Sequence, residues 1–522
     1  MHETSTGETV SAAAESREAA LETGRSRSWR DRAIAFAFFA VLAAASYAPI
    51  WSSDYFWHLS AGRWIVENRA LPASDPLTVA SSREPWIDGE WLFQLALFGV
   101  HRVGGDAAVA LLRAAAIAAL FTFLFVRLLA AGSRTLALSV AFFSWYGALP
   151  WLRERPSAPG AAFALLLIVI LGLRSLRVRA VLVFLLGVLW MNVHPSALLA
   201  PAIVGIDRVS SMLEERSFSR SRILELLLLT GLATVALLVN PWGLAGALNP
   251  LHVATIAQLP VFANEEWGPS RLGEFRFFAV ALVAAAAVLL TSARRPGWLS
   301  SAALLVAIGA LAIRLARSQT IFFVTAPLLL IPHLRLPREG MVKLLAIPLA
   351  ITAIAIVMAS PFAGGIDTEK FPVEATARVQ AAQLHGNVLS SYGLGGFLTW
   401  SFDRERRVLN DGRNELHLDY QQRWQEARQS SASLARFFDD YAVGLAWVGM
   451  DEGPVWIRDA ATEEWRPLRR WDVYFPRDQW ALVAIDRAAA VFARRSMNDP
   501  RAIERVELPR ELLPPAAKAG GR

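Results

Sequence analysis

Between residues 33 and 361 the chain alternates long apolar runs with short polar breaks. A run of about 18 or more apolar residues is long enough to cross a bilayer as a helix. The first run, Ala33 to about Trp51, follows Arg25, Arg27, Arg30 and Arg32, and no small-residue cleavage pattern comes after it. It reads as an uncleaved helix with its N-terminus in the cytoplasm. Further helices are predicted at about 106–130, 135–151, 159–173, 223–240, 275–291, 298–316, 319–333 and 343–360, with an amphipathic piece over 89–103.

The stretch 180–206 decides the topology. It is apolar but interrupted by Asn192, His194 and Pro195. As a single span it would put the Arg-rich segment 207–222 outside. As a re-entrant hairpin of two short helices it returns that segment inside, together with the basic loops 292–297 and 334–343, and the positive-inside trend favours this reading. Broken backbone at membrane depth is tolerated where it lines a cavity, so the Asn192–His194 tip is a candidate part of a site. The chain therefore reads as a polytopic α-helical membrane protein of about 10–11 membrane helices, including the re-entrant hairpin, with a C-terminal soluble α/β domain. Residues 1–32 form a disordered cytoplasmic arm, 33–361 the transmembrane domain with outer interfacial loops at 52–105 and 241–274, 362–512 the soluble domain and 513–522 a disordered tail.

The first outer loop holds the densest chemistry. Read as a helix, Asp54 and His58 share a face, suited to general-base work or to metal binding. Trp57 and Trp64 form a neighbouring stripe fit for the headgroup zone. The plainer alternative is an amphipathic interfacial helix capped by Asp54. Asp75 and Asp88 sit beside Pro76 and Gly89 and read as turn residues. In the second outer loop Glu265 and Glu266 mark an interfacial segment. Arg314 and Arg317 fall at the outer end of a span, against the positive-inside trend, and fit either a phosphate counter-charge or snorkelling to headgroups.

From about residue 362 the pattern becomes that of a soluble unit. GNVLSSYGLGGFLTWSF predicts a strand, a Gly-rich turn and a helix; RRVLNDGR a short strand and turn; YQQRWQEARQSSASLARFFDDY helix; GLAWVGMD, QWALVAID and AAAVFARR strands. The Gly-rich stretch matches neither phosphate-loop pattern.

Composition agrees with a membrane protein: 54% of residues are hydrophobic and the mean hydropathy is +0.37. The net charge of +7 belongs to Arg-rich cytoplasmic loops rather than to a nucleic-acid surface. Without cysteine, disulfides, thiolate nucleophiles and Cys-bound zinc are excluded.

Taken in order, DYFWHLSAGRWI with LPASDP, PWIDGEWLFQ, LRERP, LWMNVHPSALL, VNPWG, EEWGP, GNVLSSYGLGGFLTW with NDGRNELH, and WALVAIDRAAAVFARR resemble the C-type glycosyltransferases, within them a bacterial group related to the protein O-mannosyltransferases. The resemblance implies an inner-membrane enzyme of the cell envelope with a periplasmic C-terminal domain. It would move a sugar from a polyprenyl-phosphate donor to an acceptor outside the inner membrane. Asp54 would serve as base or metal ligand, with His58 and Glu90 beside it. Arg314 and Arg317, then Arg155 and His194, would counter the leaving phosphate. Glu266 would orient the acceptor or hold a divalent ion, Mg or Mn, and Arg63 joins the substrate-binding set. Many relatives carry paired acids where this chain has SSDYF, a single acid. The alternative is a non-catalytic scaffold of the same fold that binds a polyprenyl lipid or an envelope partner. The absence of repeated halves disfavours a transporter.

Overall fold

A computed structural model describes residues 29–131, 133–262, 264–293, 295–334, 355, 363–402, 406–458 and 463–515. The helix expected at 343–360 falls, but for residue 355, outside them, as do the arm to residue 28 and the tail from residue 516. Twelve described helices precede residue 335: α1 (Trp29–Ser46), α2 (Asp54–Asn68), α3 (Trp91–Leu128), α4 (Arg134–Ala148), α5 (Ser157–Leu171), α6 (Leu176–Val193), α7 (Leu199–Glu214), α8 (Arg220–Leu238), α9 (Gly243–Ala257), α10 (Arg276–Thr291), α11 (Trp298–Arg314) and α12 (Gln319–Leu330). Among the described residues, four helices are long and apolar enough to cross a membrane: Trp91–Leu128, Leu176–Val193, Pro195–Glu214 and Arg220–Leu238. Ser157–Leu171, Arg276–Thr291 and Trp298–Arg314 are shorter apolar helices. Several of these helices are apolar on their outward faces too. Leu224, Leu227 and Val235 of α8 and Val280, Val283 and Leu290 of α10 are exposed, an arrangement that suits lipid rather than water.

Within α3 the backbone leaves helical geometry at Gly104 (φ −151°) and Gly105 (φ 63°, ψ −159°). The conformation at residue 105 is one that glycine adopts readily. The break separates the amphipathic piece from the apolar span beyond it, as the hydrophobic pattern predicts.

The segment 180–206 departs from expectation. It holds two helices, each long enough to cross a membrane, rather than a hairpin of short ones. Only a narrow turn interrupts them: His194 is extended (ψ 136°), as a residue before proline prefers, and a 3₁₀ turn covers Pro195–Leu198. Of the three basic loops expected on one side, 334–343 lies, but for residue 334, outside the described residues, and the other two come together. Arg179 and Arg208 share Glu225, Arg208 reaches the Leu171 carbonyl, and Glu214 accepts the backbone N–H groups of Gly297 and Leu299 at 2.7 and 3.0 Å. The basic segments near 174–179, 207–222 and 292–297 thus gather at one end of the bundle. Within the segment 241–274, expected as an outer interfacial loop, lies α9, a helix that runs through Pro250.

The C-terminal domain carries β1 (Asn387–Ser390), β2 (Val443–Gly449), β3 (Val455–Arg458), β4 (Trp465–Leu468), β5 (Trp480–Ile485) and β6 (Ala489–Arg494). The main sheet has the order β1-β2-β6-β5, with β1 and β2 parallel and the other pairs antiparallel. The β3–β4 hairpin lies in a stretch where the sequence pattern predicts no strand. Helices Leu418–Ala427 and Ser431–Asp440 occupy the stretch predicted helical. The segment 407–409 also lies parallel to β1, through Val388 and Val408, and on its other side binds residues 78–80: Val79 N donates to Val408 O at 2.9 Å and Ala80 N to Leu409 O at 3.1 Å. The first loop is therefore tied into the C-terminal domain by backbone pairing.

The same joint is sealed by packing. Phe56 of α2 meets Phe371 and Phe397 edge-on, with centroids 4.8 and 5.1 Å apart. Burying a Phe side chain of this kind stabilises by about 1.5–3 kcal/mol. On the opposite side, a Cβ at Gly62 would stand 2.3 Å from Gln94 O, so α2 and α3 approach backbone to backbone. Helix α2 is therefore buried from Tyr55 to Gly62 rather than lying along a membrane surface. Trp57, expected in the headgroup zone, packs instead with Ala61, Trp86 and Leu416. Aromatic spacing cannot distinguish a lipid interface from a protein lid that supplies the same apolar cover.

Candidate active site

The buried placement of α2 turns its first helical residue towards a cavity of 440 Å³ where the helical bundle meets the C-terminal domain. Ser53 makes no side-chain cap, and Asp54 forms an ion pair: Arg155 Nε lies 3.0 Å from Asp54 Oδ2 and 3.0 Å from Ser52 Oγ. Arg155 also binds Glu266, and Arg153 reaches the other Glu266 oxygen at 3.3 Å. LRERP and EEWGP, distant in sequence, thus meet Asp54 in one charge network.

Behind it lies a less polar group. Glu90 Oε2 is 3.8 Å from His58 Nε2, and Glu90 Oε1 is 3.8 Å from His194 Nε2. Both separations are too long for hydrogen bonds. Burial pushes Glu90 well above the usual carboxylate range, opposed by the nearby Arg317 cation. Burial pushes His58 well below the usual imidazole range, reinforced by the Arg155 and Arg413 charges. Burial thus favours the uncharged form of both Glu90 and His58. Asp88 is lifted by burial to about 7 even though Glu90 N and Gln94 Nε2 donate to it.

Of the residues singled out from sequence, Asp54, His58, Glu90, Arg155, Glu266 and Arg317 all line this cavity. His194 stands behind Glu90 and bonds Ser196 Oγ at 2.7 Å. Two are placed elsewhere. Arg63, on the far turn of α2, lies over the Trp400 ring at 4.4 Å, and Arg314 is exposed at the end of α11. Arg314 and Arg317 are three residues apart, but the backbone turns extended at Leu315 and enters a 3₁₀ turn, so they face different surroundings. Arg317 rests over the Trp267 ring at 4.6 Å and has no ion pair among the described residues.

The sequence reading assigned no roles to NDGRNELH, yet this segment forms a wall of the cavity. Gly412, Arg413, Asn414 and Glu415 line it with Tyr392, whose hydroxyl donates to Asn414 Oδ1. Arg413 is fully buried between Asp411 and Asp75, with its Nη2 2.7 and 2.8 Å from their oxygens, and lies over Trp86 at 4.5 Å. His417 and Arg413 hold the Asp411 carboxyl well below the usual range, against its burial. Asp75 does accept from Leu77 N, as a turn residue would, but it is also this buried ion-pair partner. Asp88, read as a turn residue, lines the cavity. The available signal was the crowding of four ionisable residues into NDGRNELH.

For a divalent ion the donor set is poor. Asp54 is already held by Arg155, and among the described residues no three His, Asp or Glu side chains converge to hold a metal. The cavity instead offers a carboxylate, an unpaired guanidinium and buried polar atoms lacking partners, Trp57 Nε1, His58 Nδ1 and Asp88 Oδ2.

No protein-family model and no curated protein sequence matches the chain. Solved structures do match by fold. They include the Archaeoglobus fulgidus oligosaccharyltransferase in its apo form, with a TM-score of 0.51 at 10% identity, covering 86% of this chain and 76% of that one. The archaeal oligosaccharyltransferase AglB from the same organism, in complex with an inhibitory peptide and a dolichol-phosphate, aligns at a TM-score of 0.49 and 10% identity over 86% and 76%. The A. fulgidus enzyme tethered to an acceptor peptide containing the NVT sequon gives 0.47 and 11% over 86% and 75%. The fold of the chain is thus similar to that of the A. fulgidus oligosaccharyltransferase.

Proposed function

We propose that the protein is an integral membrane glycosyltransferase that moves a sugar from a polyprenyl-phosphate-linked donor to a hydroxyl acceptor on the extracytoplasmic side of a bacterial inner membrane, in the manner of the protein O-mannosyltransferase-related group. The observation that carries this reading is the half-buried Arg317 guanidinium, without an ion pair among the described residues, in the same cavity as Asp54. A cation drawn partly out of water without a counter-ion is stabilised when an anion joins it, and a lipid-linked phosphate is such an anion.

In this mechanism the acceptor hydroxyl attacks the anomeric carbon of the donor. A new C–O bond forms, the bond to the phosphate oxygen breaks, and the electron pair leaves with the polyprenyl phosphate. Asp54 takes the hydroxyl proton. Arg317 faces the negative charge that grows on the leaving phosphate, where a fixed cation in a dry site acts most strongly. Arg155, fixed by Glu266, fixes the position of Asp54. Glu90, whose burial favours the protonated carboxyl, is placed to hydrogen-bond the sugar or the acceptor. No step is routed through a metal.

Membranes containing wild-type protein or Asp54→Asn, supplied with a panel of radiolabelled polyprenyl-phosphate sugars, test the reading. Transfer by wild type that disappears in the well-expressed variant supports it. Transfer that survives in the variant removes Asp54 as the base. The Asp54–Arg155 ion pair also suits a non-catalytic lipid-binding scaffold, and no transfer from any donor by folded protein would favour that reading.

A further inference from the structure

The turn between α6 and α7 lies along the start of α3, residue against residue. Asn192 Oδ1 accepts from Trp91 Nε1 at 2.9 Å, and His194 Nε2 lies 3.8 Å from Glu90 Oε1. A Cβ on Gly89 would stand 3.8 Å from Pro195 Cγ. Asn192 is itself tied down, its Nδ2 donating to Val188 O and to Val239 O at 2.8 Å each. The turn thus holds the segment 89–91, whose Gly89 and Glu90 line the Asp54 cavity.

The hydrogen bonds around His194 fix which ring nitrogen carries the proton. An indole N–H can only donate, and Trp190 Nε1 donates to Ser196 Oγ at 2.9 Å. The hydroxyl proton of Ser196 then goes to His194 Nδ1, 2.7 Å away. The Ser196 backbone N–H, also a donor only, meets the same nitrogen at 3.1 Å. Nδ1 therefore accepts and is unprotonated, which leaves the ring proton on Nε2, the atom that faces Glu90. An imidazolium needs protons on both nitrogens, so this ring is not the cation expected to counter a leaving phosphate. A metal-bound imidazole donates from its other nitrogen; here the other nitrogen accepts, so Nε2 has no lone pair for a metal. Trp190 is fully buried, and Gly160 of α5 leaves room for the chain of bonds: a Cβ there would stand 2.7 Å from Ser196 Oγ.

We propose that His194, in its Nε2–H form, is a positioning residue for Glu90. It offers its N–H to the Oε1 side of the carboxyl and leaves the Oε2 side, which faces His58, for a hydroxyl of the bound sugar or acceptor. At 3.8 Å the contact is longer than a hydrogen bond, as contacts in unliganded sites often are before substrate tightens them. The hold on Glu90 stands on the hydrogen-bond pattern alone; its service to sugar transfer rests on the transfer reading above.

The test uses the full chain in lipid bilayers, with histidine carrying the NMR-active nitrogen isotope. Solid-state NMR at neutral pH reads the tautomer of each of the eight imidazoles, and the signals lost in His194→Gln assign this one. The expected result is an unprotonated Nδ1 and a protonated Nε2 whose signal moves in Glu90→Gln. A protonated Nδ1 overturns the proposal, and so does an Nε2 signal that ignores Glu90→Gln. The wild-type tautomer decides even where a variant fails to fold, which thermal unfolding reports. Transfer assays with polyprenyl-phosphate sugars then separate positioning from packing. His194→Asn puts its amide near the Nδ1 position, keeping a partner for Ser196 without reaching Glu90. His194→Gln puts an amide N–H near the Nε2 position. Transfer efficiency, kcat/KM, is expected to fall about tenfold in His194→Asn and to recover in His194→Gln. A packing role predicts the reverse order, because the contacts to Ser196 are what His194→Gln gives up; that order, or equal rates in all three proteins, overturns the proposal. If wild type transfers sugar from no donor, the enzyme reading fails, and the NMR result still decides whether His194 holds Glu90.

Discussion

Gly412 lies directly against Asp54: a Cβ at position 412 would stand 2.8 Å from Asp54 Oδ1, closer than a side-chain carbon can sit. The glycine lets the C-terminal domain approach the carboxylate without displacing it. Gly412→Ala must push Asp54 off Arg155 or lift the 410–417 segment. Sugar transfer is expected to fall at least tenfold, because small displacements of a reacting group are costly, while the Tm changes little. Transfer at the wild-type rate would show that Asp54 need not hold this position.

Arg317 is the cation assigned to the donor phosphate. Arg317→Ala should lower transfer by about two orders of magnitude, the scale for a fixed group that meets transition-state charge. Arg317→Lys should recover part of it, since the ammonium keeps the charge but not the fork of donors. Rates with Ala and Lys equally poor would point to a packing role on Trp267.

Asp88, raised by burial to about 7, makes a pH prediction. The folded state keeps the proton up to about pH 7, while the unfolded chain loses it in the ordinary carboxylate range. Stability from this group is therefore fully present at low pH. It falls by about 1.4 kcal/mol per pH unit as pH rises towards 7, and levels off above. Asp88→Asn removes this dependence and leaves an acceptor for Gln94. The Tm difference between wild type and variant should move in the variant's favour from pH 5 to 7 and stay constant beyond. A difference that does not change with pH would mean that Asp88 titrates normally.

Arg413 holds two buried carboxylates. Arg413→Met leaves Asp75 and Asp411 uncompensated, and losing one partner of such a group costs about 3–5 kcal/mol. The expected outcome is a large fall in Tm by scanning fluorimetry, with detachment of the first loop seen as faster hydrogen exchange at residues 78–80. A Tm near wild type would show that water reaches the two acids.

Much of this protein was legible locally. Helix positions followed from apolar runs, and the Gly104–Gly105 break from a change in amphipathic character. The strands over 443–449, 480–485 and 489–494 followed from short apolar runs. Asp54, His58 and Glu90 could be selected because the chemistry and spacing of the first loop are contained in one short stretch. What the sequence alone determined was thus whatever repeats within a few residues, where helix and strand periodicity is set by the chain itself.

Tertiary structure decided the rest. Trp57 faces protein rather than lipid because the C-terminal domain covers it. Arg317 enters the cavity and Arg314 does not because the backbone breaks helical geometry between them. Arg413 and Glu415 line the same cavity as Asp54, more than 350 residues away in sequence, because segment 407–409 pairs with residues 78–80. Charge networks and cavities form between segments that meet only on folding, and no local pattern records which partner each side chain will find.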